Sequence, residues 1–170
     1  ATFGAVFFAL QKALDCLGAR PATLLDAGAG TGAAAWAADT LLDLSDILCL
    51  EREEAMAGLG EKLMRSGPPA LKSARWMRGD LCLPPVLPRA GLVTAAYVLN
   101  EVDDAHRPAA VSKLWEAARE LLLLVEPGTP AGFSLLMEAR KQLLALGAHI
   151  AAPCPHENGC PLAEDDWCHF

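Results

Sequence analysis

Apolar runs of strand length recur along this chain, each parted from the next by a segment of helical character. The runs fall at residues 22–26, 47–50, 74–78, 91–99 and 121–125. Helical segments are expected at residues 33–42 and 53–65, from Pro108 to about Ala118, and at 133–146, with a further helix at 3–17 ahead of the first run. In the segment 53–65, Met56, Leu59, Leu63 and Met64 are expected to share one side. Gly18, the Gly67-Pro68-Pro69 tripeptide and Gly147 read as helix stops, and Pro108 suits a first helical turn. Strands that alternate with helices make βαβ units and a parallel sheet. Right-handed crossovers then lay helices on both faces. The run 91–99 is almost wholly apolar, as a strand covered on both faces requires. The expected architecture is therefore α/β, Rossmann-like, mostly parallel and doubly wound. At 170 residues one domain is favoured, able to bury roughly 68–70% of its unfolded surface. It is expected over residues 1–150, with 151–170 as a separate Cys-rich segment.

The first expected strand runs into Leu24-Leu25-Asp26-Ala27-Gly28-Ala29-Gly30-Thr31-Gly32 and then a helix. Glycine at 28 and 30 lets backbone approach a ligand, and Gly32 permits close packing where the helix begins. A tight turn with no ligand would have the same composition. Other residues add to it. Glu51 ends the second run, where an acid can accept from both ribose hydroxyls, although Glu53 and Glu54 also allow it to be a solvated acid opening a helix. Gly79-Asp80 follows the third run and can meet an adenine amine, or be an ordinary turn. Asn100 and Glu101 are expected to end the fourth, lining a pocket or capping the next helix. All four features fall where open α/β sheets bind ligands, at the carboxyl ends of the strands.

The glycine spacing is G-x-G-x-G preceded by an acid, not the dinucleotide G-x-G-x-x-G, and no P-loop motif occurs. This form resembles the first motif of class I S-adenosylmethionine-dependent methyltransferases. The resemblance implies that Gly28, Gly30 and Gly32 hold the methionine part of the cofactor. It also implies that Asp26 supports the turn, that Glu51 binds the ribose and that Asp80 and Leu81 bind the adenine. Asn100 is a candidate for lining the pocket. The sulfonium is already activated, so transfer asks mainly for alignment, and no catalytic base is assigned. The stretch Leu99-Asn100-Glu101-Val102 carries neither the Asn-Pro-Pro-Tyr signature of base-amine methylation nor a Pro-Cys pair.

Cys16, Cys49 and Cys82 stand singly among apolar residues, where a free thiol packs as a small hydrophobe. Together with the absence of a secretory pattern, this favours a reducing compartment. The tail differs. Cys154-Pro155, Cys160-Pro161 and Cys168 lie within fifteen residues, with His156 and His169 between and beyond them. Cys-Pro pairs suit iron–sulfur ligation. Zinc also takes Cys and His, though C-x5-C and C-x7-C are wider than its usual pairs. Packed or surface thiols with no metal are the third reading. Trp167 is expected in the core.

Leu123-Leu124-Val125-Glu126-Pro127-Gly128-Thr129-Pro130, with the tail motifs C-P-H-x3-C-P and D-W-C-H-F, makes a more specific resemblance. Together they resemble the methyltransferase-like family of small-ribosomal-subunit assembly factors, known from mitochondria and many bacteria. The match runs from about Leu24 to the end. It implies S-adenosylmethionine binding, association with small-subunit rRNA, and a [4Fe–4S] cluster on Cys154, Cys160 and Cys168. The fourth cluster ligand and a basic segment would lie further downstream, and the chain is expected to be a fragment of a longer protein. The net charge of −7 argues against a broad nucleic-acid face of its own. The leading expectation is an assembly factor with a structural metal loop. An active rRNA or small-molecule methyltransferase and a non-enzymatic module with a zinc site are the alternatives. A bacterial cytoplasm is expected, or the mitochondrial matrix in a eukaryote, with no membrane span.

Overall fold

The computed structural model describes every residue except Ala1, Ala19, Pro84, Pro85, Ala163, Glu164, Asp165, His169 and Phe170. The candidate ligand His169 thus lies outside the described residues.

Apolar runs become the parallel strands β1 (Thr23–Ala27), β2 (Asp46–Glu51), β3 (Arg75–Arg78), β4 (Ala90–Ala96) and β5 (Ala118–Val125). They form one sheet in the order β3-β2-β1-β4-β5. Side chains alternate across it, as the two-residue period of a strand dictates. Leu24, Ile47, Cys49 and Leu92 pack with α1 (Thr2–Leu17) and α2 (Ala33–Leu41). Leu25, Leu48, Leu50 and Val93 face the other way, toward α5 (Arg107–Ala117) and α6 (Pro130–Ala145). Helix α2 buries Ala34, Ala35, Ala37 and Ala38, small residues that let it lie close to its neighbours. The chain order reverses at β1, which pairs with β2 on one side and β4 on the other. That is the switch point at which open α/β sheets form their ligand crevice.

Several expectations are corrected. Strand β4 stops at Ala96, three residues short, because Tyr97 adopts φ 58° and turns the backbone out of the sheet. Leu99–Glu101 is a 3-10 turn, so Leu99 and Asn100 are not strand residues. Proline at 69, expected as part of a helix stop, opens the short helix α4 (Pro69–Lys72), since its missing N–H costs nothing in a first turn. Helix α6 begins at Pro130 instead of Phe133, capped by the Thr129 hydroxyl, which accepts from Gly132 N–H at 3.2 Å. In α3 (Glu54–Met64) Met64 is buried, whereas Met56, Leu59 and Leu63 are exposed. The inward face of α3 is set by Gly60 and Met64, with Gly60 close against the Trp76 ring. Cys16 is exposed rather than packed. Beyond Ala145 no described residue belongs to a helix or strand.

Candidate functional site

Asp26 is the penultimate residue of β1 and is 1% exposed. The Thr94 hydroxyl of β4 donates to its Oδ1 at 2.8 Å, and the Ala35 N–H of α2 donates to Oδ2 at 3.2 Å. One carboxylate therefore joins two strands to the first turn of α2, where the helix dipole favours negative charge. Burial pushes its pKa up to about 6, against the lowering effect of those two hydrogen bonds. Beyond it the chain turns through Gly28, Gly30 and Gly32, at φ 69°, 56° and 85°. Gly28 and Ala29 each donate N–H to the Leu50 carbonyl at 2.9 Å, which ties the turn to β2. A Cβ on Gly28 would collide with the Val98 side chain, whereas one on Gly30 would meet only Met56 Cε at 3.8 Å. Gly28 is thus demanded by packing and conformation together. Gly30 is demanded by its left-handed φ, and leaves space above the turn.

Glu51, at the tip of β2, accepts from Gly30 N–H at 2.7 Å and from Glu53 N–H at 2.8 Å. Its carbonyl accepts from Gly79 N–H at 3.2 Å, bringing the residue after β3 alongside. Asp80 folds into an Asx turn, its Oδ1 accepting from Cys82 N–H at 2.8 Å. Leu81 is buried on the α5 side of the sheet. Asn100 is exposed on the 3-10 turn across the crevice. Asp26, the three glycines, Glu51 and Asp80 thus gather at the carboxyl ends of β1, β2 and β3, with Asn100 beyond β4.

Four further residues shape this place. Thr94 orients Asp26, and a lone polar residue in the apolar run 91–99 was its one signal in the sequence. Arg52 places its guanidinium beside Glu53, Asp80 and Glu101. Tyr97 is the one non-glycine among the described residues with positive φ, a conformation that stores strain in a bulky residue. Glu126, directly after β5, is 7% exposed and accepts from Leu99 N–H at 2.8 Å through Oε1, while Oε2 has no partner. Burial raises its pKa; hydrogen bonds from the turn oppose this. Glu126 therefore pins the turn that carries Asn100 and Glu101. A depression lined by Glu54, Ala55, Gly58, Leu59 and Lys62 lies on the surface of α3 alone and presents no converging groups.

The tail is anchored through backbone and side-chain contacts that do not involve its thiols. Arg140 of α6 donates to the carbonyls of His156 at 2.7 Å and Asn158 at 3.0 Å, and His149 Nδ1 lies 2.5 Å from Glu157 Oε1. Trp167 is 37% exposed and not a core residue; its indole N–H donates to the Gly128 carbonyl at 3.3 Å. Cys154, Cys160 and Cys168 are all exposed and unbonded. Among the described residues no three Cys, His, Asp or Glu side chains converge as a metal set. Three thiols are donors that suit a cluster or a zinc ion, but as placed they are not gathered into a site.

A family model described as mitochondrial small ribosomal subunit Rsm22 matches residues 1–170. The human mitochondrial ribosome assembly protein METTL17 is 36% identical over 187 aligned positions, covering 96% of this chain and 40% of that protein. The chain thus spans less than half the length of that relative. The mitochondrial Rsm22-cox11 tandem protein 2 of Schizosaccharomyces pombe is 47% identical over 51 residues, 25% of this chain and 7% of its own. Among solved structures, the S-adenosylmethionine-bound amino pentose methyltransferase CalS10 of Micromonospora echinaspora has a TM-score of 0.60 at 23% identity, covering 78% of this chain and 54% of its own. A methyltransferase of Clostridium acetobutylicum reaches 0.64 at 11% identity over 75% of this chain and 52% of its own. These two likenesses show the methyltransferase fold.

Proposed function

Since the chain belongs to the mitochondrial small ribosomal subunit Rsm22 family, we propose that it is an S-adenosylmethionine-binding factor in assembly of the small ribosomal subunit. The observation that carries the cofactor reading is the glycine turn at the switch point, held to Glu51 through Gly30 N–H. In this reading Gly28, Gly30 and Gly32 cradle the methionine part, with Asp26 fixing the turn and offering charge to the amino group. Glu51 takes the ribose hydroxyls, Asp80 and the Leu81 backbone take the adenine, and Asn100 faces the sulfonium side. S-adenosylmethionine supplies an activated methyl group when bound. The chain's own share is to orient the cofactor and exclude water, and no side chain is assigned as a base.

The name of the human relative supports a ribosome assembly role and the family description points to the small subunit; small-subunit rRNA is the partner in this reading. The compartment follows the relatives: the mitochondrial matrix in a eukaryote, with the cytoplasm as the bacterial equivalent. Among the described residues no helix is long and apolar enough to cross a membrane. The same reading gives Cys154, Cys160 and Cys168 a structural metal, a [4Fe–4S] cluster or zinc, completed by a further ligand. No step of the function is routed through it.

Calorimetric titration with S-adenosylmethionine, followed by radiolabelled methyl transfer to small-subunit rRNA, tests the proposal. Binding without transfer is the expected result. Transfer would make the protein an active methyltransferase, and no heat and no thermal shift would remove the cofactor claim. Iron and zinc analysis of the purified protein tests the metal assignment.

A further inference from the structure

Arg52 immediately follows the proposed ribose acid and reaches both walls of the crevice. Its Nη1 lies 4.0 Å from Asp80 Oδ2, after β3, and its Nη2 lies 3.5 Å from Glu101 Oε2, on the turn after β4. Its Nε lies 3.4 Å from Glu53 Oε1. Strand β1 and its glycine turn lie between β2, which carries Arg52, and β4, which leads to Glu101. The Arg52–Glu101 pair therefore crosses the switch point from one side to the other, between residues 49 apart in sequence. A nucleoside held by Glu51 and Asp80 must lie against this guanidinium. A planar cation stacks well on an aromatic face.

We propose that Arg52 is a strap over the nucleoside end of the crevice. Paired with Glu101 it closes the mouth; when a nucleoside enters, the Arg52–Glu101 pair opens and the guanidinium settles on the purine face. Arg52 is then a positioning residue for ligand entry and retention, an inference that rests on the cofactor reading above. Glu101 gates entry alone, because it loses its partner when the purine arrives. Glu101 should thus affect association alone, and Arg52 both association and dissociation. Both side chains are about half exposed, at 47% and 59%, so substitutions there leave the core untouched.

The test is stopped-flow binding of S-adenosylhomocysteine, whose zero net charge separates gating from simple attraction of a cation. Glu101→Gln should speed association roughly two- to five-fold, the range of an exposed ion pair, and leave dissociation unchanged. Arg52→Ala should speed association similarly and also speed dissociation, because the stacking partner is gone. The acceleration should fade in high salt, where the wild-type strap is itself screened. Wild-type association rates in both variants would overturn the strap while leaving the cofactor site standing. Failure of the wild-type protein to bind either S-adenosylhomocysteine or S-adenosylmethionine would overturn the strap and the cofactor reading together.

Discussion

The carboxyl edge of the sheet and the tail after Ala145 both carry clustered functional residue types, yet only the first is gathered. At the sheet edge Asp26, Glu51 and Glu126 each accept backbone N–H groups from a neighbouring element. Strands packed on both faces bring those loops together, so the polar residues have fixed partners before any ligand is considered. In the tail Cys154, Cys160 and Cys168 are exposed, and the holding contacts come from Arg140, His149 and Trp167. A segment rich in Pro, Cys and acids has little apolar surface to bury, so nothing in its own packing draws the thiols together. The contrast separates groups gathered by folding from thiols that, in the proposed metal reading, only a bound metal would gather.

The sharpest test of the folded side is Gly28→Val. A left-handed φ of 69° and a collision with Val98 act together there. The expected loss is about 2–5 kcal/mol in urea denaturation, with no cofactor binding. Gly30→Ala, with open space at Cβ, should cost only about 1–2 kcal/mol of stability for its φ while weakening S-adenosylmethionine binding, because its methyl group would enter the proposed cofactor space. A Gly28→Val protein as stable as wild type would break the view that the turn is locked.

Asp26 gives a pH-dependent test. Its folded pKa of about 6 lies above the ordinary 3.8, so folding takes up a proton between those values. Its contribution to stability is complete below about pH 3.8 and is lost as pH rises through about 6. Asp26→Asn should abolish a dependence on the order of 2–3 kcal/mol between pH 4 and 7, read by subtracting the two denaturation series. Parallel series would mean that Asp26 is not buried as a carboxylate against Thr94.

Glu51→Ala is expected to weaken S-adenosylmethionine binding by about 1–3 kcal/mol, measured by calorimetry. On the tail side, replacing Cys154, Cys160 and Cys168 together by Ser in metal-free protein should shift thermal stability by less than about 0.5 kcal/mol, as exposed positions do; the same replacement should remove any iron or zinc from protein purified with metal. A larger loss of stability would show that the thiols belong to the folded unit, and the contrast would fail.

Much of the sheet-edge site was legible because backbone chemistry dictates it. A strand entering a G-x-G-x-G turn announces a close backbone approach, and acids at 51 and 80 mark the tips of the next strands. What stayed hidden depends on distant partners. Nothing near Thr94 in sequence indicates that it will face Asp26, 68 residues away, and Arg52 and Glu101 meet only because β2 and β4 flank β1. Glu126 sits inside the motif 123–130, but its buried carboxylate acts on a turn reached only through the fold. The end of β4 was misplaced because Tyr97, Val98 and Leu99 all suit a strand, while the left-handed φ at Tyr97 overrides that preference. The stripe Met56, Leu59 and Leu63 has core-like spacing but faces outward, since Gly60 and Met64 already fill the inner side of α3.

A crystal structure of the protein with S-adenosylmethionine bears most directly on the glycine-turn site. The expected density follows the turn at Gly28 to Gly32, with the ribose hydroxyls on Glu51 and the purine between Asp80 and Arg52. Ligand density anywhere else, with the glycine turn empty and Arg52 still paired with Glu101, would contradict it.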